Sequence, residues 1–240
     1  TVSNTDRTVQ MGRQALQPPG DAKPDLWIVQ QMAQRMGLDW HYDGEHAGVA
    51  AVYEEMRQAM AGAIAGISWE RLEQNSSVTY PCLSEDDPGQ PIVFHDHFPT
   101  PDGRVRLVPA GLILANEQPD DEYPMVLITG RQLEHWHTGA MTRRATVLDA
   151  IEPAPTVSMC GADLQRHGIV PGERVRVASR RGEVELVVRR DDGTPEGGVY
   201  MPFAYREAAA NLLTNAALDP YGKIPEFKYC AVRVRRLQAA

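Results

Sequence analysis

From about residue 122 onward the chain is a series of short apolar runs separated by turn residues and long polar connections. Val175 and Val177 alternate with arginines, which is typical of a half-buried strand. One short helix, Gly161–His167, interrupts these runs and is stopped by Gly168. Short strands joined by long crossovers predict a closed β-barrel rather than an open parallel sheet. The predicted strands are 123–129, 156–159, 175–177, 183–188, 199–203 and 230–234, with a hairpin turn over 179–182.

The first 75 residues are predicted to be mostly helical. Asp25 is a good N-cap and Gly37 a good C′ residue for a first helix, a second helix covers about 49–60, and Ser68 caps a short third one. No strand alternates with these helices, so a complete βαβ unit is not predicted here. The first helix carries one apolar stripe at helical spacing, made by Leu26, Val29, Ala33 and Met36.

Residues 76–122 are predicted to be irregular, because seven prolines punctuate them. Short extended pieces fit at 92–94 and 104–108. A stretch of this length without periodicity usually wraps another surface or links domains. We therefore predict a boundary near Pro119, with one region over 1–119 and a second over 120–240.

Charge and cysteine content exclude several classes of protein. The net charge of −8 argues against a non-specific nucleic-acid binder, which must neutralise phosphates. The three cysteines lie far apart, so the chain cannot build a disulfide framework or a CxxC metal site by itself. No apolar run approaches the length of a membrane span. Because the sequence starts without Met, we expect a processed or truncated product.

The segment His135-Trp136-His137, which follows the first predicted strand, is the densest candidate for chemistry. Two imidazoles at i,i+2 could hold a metal, but no third ligand is evident at useful spacing, and the same is true of His95 and His97. An anion and heterocycle site is the better interpretation, since Arg side chains suit phosphate oxygens. A surface loop in which Trp136 packs on a neighbour explains the pattern equally well.

The crossover 208–231 is a second candidate, because polar residues stand there among small apolar ones. Its asparagines and lysine could bind a purine edge or a phosphate, although an ordinary crossover is the simpler interpretation. Cys160 and Cys230 are predicted to be inert core thiols and Cys82 to be exposed. The arginine pairs at 143/144, 180/181 and 189/190 are predicted to be solvated turn residues.

The block 130–144 resembles the C-terminal region of molybdopterin-dependent oxidoreductases of the dimethyl sulfoxide reductase superfamily. Its His135-Trp136-His137-Thr138-Gly139 core is shared by formate dehydrogenase alpha subunits and periplasmic-type nitrate reductases. The blocks 4–10 with 18–21, 98–104 and 223–234 agree, and the ending 227–233 is more similar to formate dehydrogenases than to nitrate reductases. Taken together, the blocks resemble the alpha subunit of soluble NAD-dependent formate dehydrogenases.

The resemblance implies an α+β chain, in which a C-terminal double-psi β-barrel follows the helical tail of an upstream α/β domain. The barrel would close over a bis-molybdopterin guanine dinucleotide cofactor that carries molybdenum or tungsten. The resemblance assigns no catalytic or metal-ligating residue to this chain. The residues that match cofactor-lining positions of the family are Arg131, Gln132, His135, Trp136, His137, Thr138, Asn211, Lys228 and Tyr229.

The resemblance further implies oxidation of formate to carbon dioxide, with electrons passing through iron–sulfur clusters to flavin and NAD in a cytoplasmic enzyme. The partners would be the rest of the alpha subunit and the flavin/NAD-binding and iron–sulfur subunits, with no nucleic acid or membrane. Three alternatives stay open: a nitrate reductase-type fragment, a stand-alone β-barrel binding module, and a small metal hydrolase using His135 and His137.

Overall fold

The computed structural model describes residues 2–3 and 5–237, in two compact units. The first unit extends to Pro109 and the second begins at Ala110. The division thus falls ten residues before the predicted boundary at 119/120. The assignment of 1–119 and 120–240 to two different domains stays a prediction. Asn4, the first residue of the earliest resembling block, lies outside the described residues.

The first unit contains the three predicted helices and two features that were not predicted. Asp25 is the first residue of its helix and Pro24 occupies the N-cap, so the predicted cap is wrong. Ser68 caps the last helix as expected, since its Oγ accepts a hydrogen bond from the Arg71 amide at 3.2 Å. A fourth helix is a single turn, and a small antiparallel sheet joins residues far apart in the chain. Strands of two or three residues are too short to show a period, so sequence patterns miss them. The elements are β1 Val2–Ser3, β2 Thr8–Gln10, α1 Asp25–Arg35, α2 Glu45–Ala59, α3 Ala61–Ile64, α4 Trp69–Asn75 and β3 Ser77–Thr79.

The apolar face predicted for α1 is buried only in part. Val29 is 48% exposed and Met36 77% exposed, whereas Gln30 and Ala33 are buried. The core of the unit instead forms between α2, α3, α4 and the small sheet, around residues such as Ile67. Its members are Val9, Tyr53, Ile64, Ile67, Leu72, Val78 and Cys82.

Two further expectations for this region are wrong. Residues 92–94 and 104–108 form no strand. Cys82 is buried rather than exposed, and burial raises the pKa of its thiol. It packs in the core, where the Arg71 guanidinium lies 3.2 Å from its sulfur.

The second unit confirms the predicted closed barrel. Six strands close in the order β4-β8-β5-β7-β6-β9, with β4/β8 and β5/β7 parallel and the remaining pairs antiparallel. A helix after the β4 loop was not predicted. The elements are β4 Met125–Gly130, α5 Thr146–Ile151, β5 Thr156–Met159, α6 Gly161–His167, β6 Arg174–Ala178, β7 Glu183–Arg190, β8 Gly198–Pro202 and β9 Cys230–Arg236.

Side chains fill the interior of the barrel. Leu127, Val177 and Val199 are fully buried, and on the outward side Ile128, Arg176 and Tyr200 beside them are partly exposed. A six-stranded barrel filled in this way leaves no room for a ligand inside. A binding site of this unit must therefore lie on a wall or at an end.

The strand directions bring the long connections to one end of the barrel. Parallel β4 and β8 both end there, and antiparallel β9 begins there, with Leu127 paired to Cys230. By the same registers β5 and β7 begin at this end and β6 finishes at it. We call this end the site rim; it is made by residues 131–155, 179–182 and 203–229. Within the described part of the chain, no helix has the length and apolar character needed to cross a membrane.

Candidate functional site

All nine residues that the sequence pointed to lie on the site rim, in two groups. Arg131, Gln132, His135, Trp136, His137 and Thr138 belong to the connection after β4, whereas Asn211, Lys228 and Tyr229 belong to the connection between β8 and β9. The Thr129 hydroxyl, at the end of β4, donates a hydrogen bond to the Phe227 carbonyl and ties the second group to the first. No hydrogen bond among the described residues joins the side chains of Asn211 or Lys228 to the first group.

The start of the loop after β4 is held by a hydrogen bond from a tyrosine of β8. The Tyr200 hydroxyl donates a hydrogen bond of 2.5 Å to the Arg131 carbonyl. A Cβ at position 130 would overlap the Tyr200 ring and hydroxyl, so glycine is required at the end of β4. Burial of Tyr200 raises the pKa of its phenol, which keeps the donor protonated. The backbone of Arg131 is thus held in place while its side chain stays exposed.

His135 lies inside the loop and holds its shape. It is 2% exposed, its Nε2 lies 2.8 Å from the Glu152 carbonyl, and its Nδ1 lies 3.3 Å from the Thr142 hydroxyl. The carbonyl can only accept, so Nε2 carries the proton and Nδ1 accepts from Thr142. Thr142 Oγ1 in turn accepts the Trp136 amide at 2.9 Å. Both ring nitrogens are therefore engaged within the protein.

The residues after His135 turn outward. Trp136 is 61% exposed and lies edge-on to His137, whose φ is +47°. Gly139, at φ +73°, brings the backbone so close to residue 204 that a Cβ would lie 2.5 Å from the Ala204 carbonyl oxygen. This approach joins the β4 loop to the segment after β8, and the rings of His137 and Phe203 also meet there.

A cleft of about 290 Å³ opens where these two segments meet. Arg143, Arg144 and Arg206 line it with Thr138, and Glu207 is its only carboxylate. Arg143 is held by Asp149 at 2.5 Å and by Glu207 at 3.4 Å, and its guanidinium lies over the Tyr205 ring. It is not a solvated turn residue, as the sequence had suggested.

Three other arginines of this rim have no ion-pair partner among the described residues: Arg131, Arg144 and Arg206. Most arginines on the barrel strands and their hairpins are paired, for example Arg189 with Glu152 at 2.9 Å and Arg181 with Glu117 at 2.6 Å. Arg144 and Arg206 line the same cleft, whereas Arg131 lies elsewhere on the rim. In a chain of net charge −8, such free guanidinium groups are donors available to an anion.

Tyr229 lies on a polar junction that sequence patterns did not reveal and Lys228 lies next to it in the chain, whereas Asn211 is exposed and makes no contact with the junction among the described residues. Glu226 accepts hydrogen bonds from the Asn116 amide, at 2.8 Å, and from the Asn215 side chain, at 3.1 Å. Tyr229 donates a long bond of 3.4 Å to Gln118. Lys228 stays exposed, with its ammonium 5.7 Å from the centre of the Phe227 ring.

Glu117 is the centre of this junction. It binds Arg180 and Arg181 at 2.6 Å each and accepts the Ala231 amide at 3.2 Å. Burial raises the pKa of Glu117, but the hydrogen bonds and charges of the two arginines outweigh that effect and the pKa is lowered. Through these ion pairs, Arg180 and Arg181 hold the segment 115–120 against the barrel. The prediction that this arginine pair is a solvated part of a turn is therefore wrong.

No group of three or more His, Cys, Asp or Glu side chains within residues 2–3 and 5–237 is arranged to hold a metal ion. The arrangement at the rim suits a different ligand. Backbone braced by buried hydrogen bonds presents free guanidinium groups, a hydroxyl and an exposed indole. Such a donor set fits a large anionic ligand with a planar ring system.

Comparisons with known proteins agree with this donor chemistry. Residues 125–231 match the family model described as "Molydopterin dinucleotide binding domain". The chain is 38% identical over 99% of its length to F420-dependent formate dehydrogenase 2 subunit alpha of Methanococcus maripaludis, and covers 34% of that protein. It is 32% identical over 96% of its length to the periplasmic nitrate reductase of Desulfovibrio desulfuricans, and covers 33% of it.

A solved structure shares the fold. Acetylene hydratase from Pelobacter acetylenicus superposes with a TM-score of 0.67 over 96% of this chain and 35% of that one, at 18% identity. The chain thus spans about a third of the length of the curated relatives described above. The family model covers the barrel from the first residue of β4 into β9. The barrel of this chain is therefore a molybdopterin dinucleotide-binding domain, and the chain as a whole is similar to about a third of the length of formate dehydrogenase alpha subunits.

Proposed function

We propose that the chain supplies the cofactor-binding barrel of a formate dehydrogenase alpha subunit. In this proposal, the site rim grips a bis-molybdopterin guanine dinucleotide that carries molybdenum or tungsten. The observation that carries the proposal is the set of guanidinium groups of Arg131, Arg144 and Arg206, which have no ion-pair partner among the described residues. The other arginines of the rim are paired with carboxylates: Arg143, Arg180 and Arg181. A dianionic pyrophosphate is the ligand that such planar donors bind best.

The rim residues have different tasks in this proposal. Arg131 and Thr138 donate to the pyrophosphate and the polar edges of the pterin, and Gln132, Trp136 and His137 complete that wall. Asn211, Lys228 and Tyr229 act on the neighbouring part of the ligand. His135 acts through the loop, since both its nitrogens are already bonded. When bound, the metal would supply the two-electron redox chemistry, for which we assign no residue of this chain.

The first unit is proposed to be the helical tail of an α/β domain whose sheet is formed by other polypeptide. On α1 the large apolar side chains face solvent while Gln30 is buried. Ile28, Met32 and Met36 repeat every four residues along one face and are 44%, 60% and 77% exposed, which is costly for a helix surrounded by water. A sheet packed on this face would cover them.

The complete enzyme would pass electrons from formate through iron–sulfur clusters to flavin and NAD, in the cytoplasm, with the rest of the alpha subunit and the flavin and iron–sulfur subunits as partners. NAD is proposed as the acceptor because the chain as a whole resembles soluble NAD-dependent formate dehydrogenases. The Methanococcus relative is named for coenzyme F420, which is therefore the competing acceptor. The similarity of this chain to the periplasmic nitrate reductase of Desulfovibrio desulfuricans makes nitrate reduction the second candidate function.

The test uses the complete enzyme that contains this chain. We expect bound molybdenum or tungsten, guanine nucleotide released on denaturation, and reduction of NAD by formate. Activity with nitrate but not formate would instead establish the second function. F420 reduction in place of NAD would change only the acceptor, and loss of the enzyme from a cytoplasmic fraction would overturn the location.

A matched pair of variants tests the rim itself. Arg131→Gln removes a free guanidinium, and we expect cofactor content to fall severalfold at unchanged thermal stability, since one charge-assisted contact is worth about 1.5–3 kcal/mol. Arg190→Gln makes the same charge change at the opposite end of the barrel, where Arg190 pairs with Asp192, and should retain the cofactor. Equal cofactor content in both variants would contradict the proposed role of the rim.

A further inference from the structure

A buried tyrosine lies beside the cleft of the site rim and has no task in the proposed function. Tyr205 is 1% exposed, and its two neighbours in the chain, Ala204 and Arg206, both line the cleft. Its backbone is extended, with φ −114° and ψ 112°. Successive side chains of an extended backbone point to opposite sides, so the inward direction of Tyr205 turns the exposed side chain of Arg206 outward.

The hydroxyl of Tyr205 joins the two segments that meet at the cleft. It donates a hydrogen bond of 3.0 Å to the Glu152 carbonyl, which also accepts the bond of 2.8 Å from His135 Nε2. A carbonyl oxygen has two lone pairs and can accept both donors. Burial raises the pKa of the Tyr205 phenol, so the hydroxyl keeps its proton and stays a donor. One carbonyl thus holds the β4 loop and the segment after β8.

Glu152 is itself fixed to the barrel wall. Its carboxylate is 16% exposed and pairs with Arg189 of β7 at 2.9 Å. The carbonyl that receives Tyr205 and His135 therefore belongs to a residue whose position depends on the barrel. The segment after β8 is held relative to the barrel as well as to the β4 loop.

The ring of Tyr205 makes separate contacts that do not need the hydroxyl. It lies edge-on to His135, with the ring centres 5.5 Å apart and the planes at 86°, and the Arg143 guanidinium lies 4.7 Å from its centre. A phenylalanine at this position would keep both contacts and lose only the hydrogen bond. The substitution Tyr205→Phe therefore isolates the bond to Glu152.

We propose that Tyr205 is a positioning residue of the cofactor site, which directs Arg206 into the cleft through its hydrogen bond to the Glu152 carbonyl. The inference rests on the proposed function, in which guanidinium groups of the rim bind an anionic cofactor, and it names the residue that orients one of them. Without the bond, the Arg206 side chain has to be ordered when the ligand binds, which weakens binding.

The experiment measures how fast the complete enzyme releases its molybdenum or tungsten at a fixed temperature below the melting temperatures of all variants. We expect Tyr205→Phe to release the metal at least about threefold faster than the parent, as the loss of one neutral hydrogen bond allows. The matched control is Tyr53→Phe in the first unit, where a buried tyrosine donates a bond of 2.7 Å to the Ile67 carbonyl. It should lower the melting temperature by a similar amount and release the metal at the parental rate.

Double variants separate positioning from a merely structural role. Arg206→Gln should itself speed release, and Tyr205→Phe should add little to it, because the side chain that it positions is gone. In Arg131→Gln, Tyr205→Phe should keep its full effect, since the backbone of Arg131 is held by Tyr200 outside the cleft. A general loosening of the rim would give the same factor in both backgrounds.

The outcomes distinguish this inference from the function on which it rests. If the parent holds the metal and Tyr205→Phe releases it as slowly as Tyr53→Phe does, the inference alone is overturned. The same holds if Tyr205→Phe has an equal effect in the Arg206→Gln and Arg131→Gln backgrounds. A parent enzyme with neither metal nor guanine nucleotide overturns the proposed function and the inference with it.

Discussion

The strands of the barrel and the loops of its site rim are stabilised by different interactions. The strands bury apolar side chains against one another, as Leu127 and Val199 do. The rim is held by polar contacts between residues far apart in the chain, such as those of His135 and Glu117. A charged side chain placed in the apolar packing would strongly destabilise the barrel. On the rim, a charged side chain contributes to stability only where it has a partner of opposite charge.

This difference separates stability from binding. A polar side chain that is buried and bonded stabilises the fold, and one that is exposed and unpaired is available to a ligand. Substitutions should therefore cost less stability, and affect ligand binding more selectively, as they move from the strands to the free side chains of the rim.

The largest effect is expected in the strands. Leu127→Asp buries an unpaired charge at a fully buried position of β4, and we expect a loss of at least about 4 kcal/mol, enough to unfold the barrel. Chemical denaturation followed by circular dichroism measures it. The matched control is Leu133→Asp on the rim, where the side chain is 95% exposed and the loss should stay within about 0.5 kcal/mol. A cooperative unfolding transition at parental stability for Leu127→Asp would show that β4 is misplaced.

The next effect is expected at the buried histidine of the rim. His135→Ala removes the bonds to Thr142 and to the Glu152 carbonyl and leaves a cavity beside Tyr205, so we expect a loss of about 2–3 kcal/mol and weaker cofactor retention. His137→Ala, two residues along, should cost less, because no hydrogen bond to its ring is present among the described residues. Equal losses for the two variants would refute the bracing role of His135.

A smaller effect is expected from Glu117, and it depends on pH. The pKa of Glu117 is lowered in the folded protein from its ordinary value of 4.5 by Arg181 and Arg180, against the opposing effect of burial. Its ion pairs therefore add stability above pH 4.5 and lose it as the pH falls towards the folded-state pKa. Glu117→Gln should lower stability by about 1–2 kcal/mol at neutral pH and narrow the difference from the parent in acid. A constant difference from pH 7 to pH 3 would exclude this titration as the cause.

Features set by neighbouring residues can be predicted from this sequence, whereas features set by residues far apart in the chain cannot. The barrel strands and α6 were predictable because alternation and glycine stops are local signals. The sheet of β1, β2 and β3 was not, since its strands are too short to have a period. The apolar stripe of α1 was predicted correctly as a pattern, but the structure buries it only in part.

On the rim, the location of the candidate site could be predicted from the sequence, but the roles of its individual residues could not. The location of the candidate site followed from the residues after β4 and from a family resemblance. His135 and His137 look equivalent in sequence, yet the fold puts one inside the loop and the other at its surface. The roles of Arg143, Arg180 and Arg181 depend on carboxylates up to 64 residues away, which local patterns do not report.

The smallest stability effect, and the sharpest separation of the two properties, is expected within the dipeptide Arg143-Arg144. Arg143→Gln breaks the pairs with Asp149 and Glu207 and should cost about 1 kcal/mol, a modest value because Glu207 is 50% exposed. Arg144→Gln breaks no ion pair that the structure describes, so its unfolding free energy should match the parent within about 0.5 kcal/mol while cofactor retention falls. Denaturation and metal analysis of both variants provide the measurement. In that case Arg143 stabilises the loop and its neighbour Arg144 binds the cofactor. If Arg143→Gln instead lowers cofactor retention and Arg144→Gln lowers stability, the paired Arg143 and not the unpaired Arg144 is the residue that serves the ligand.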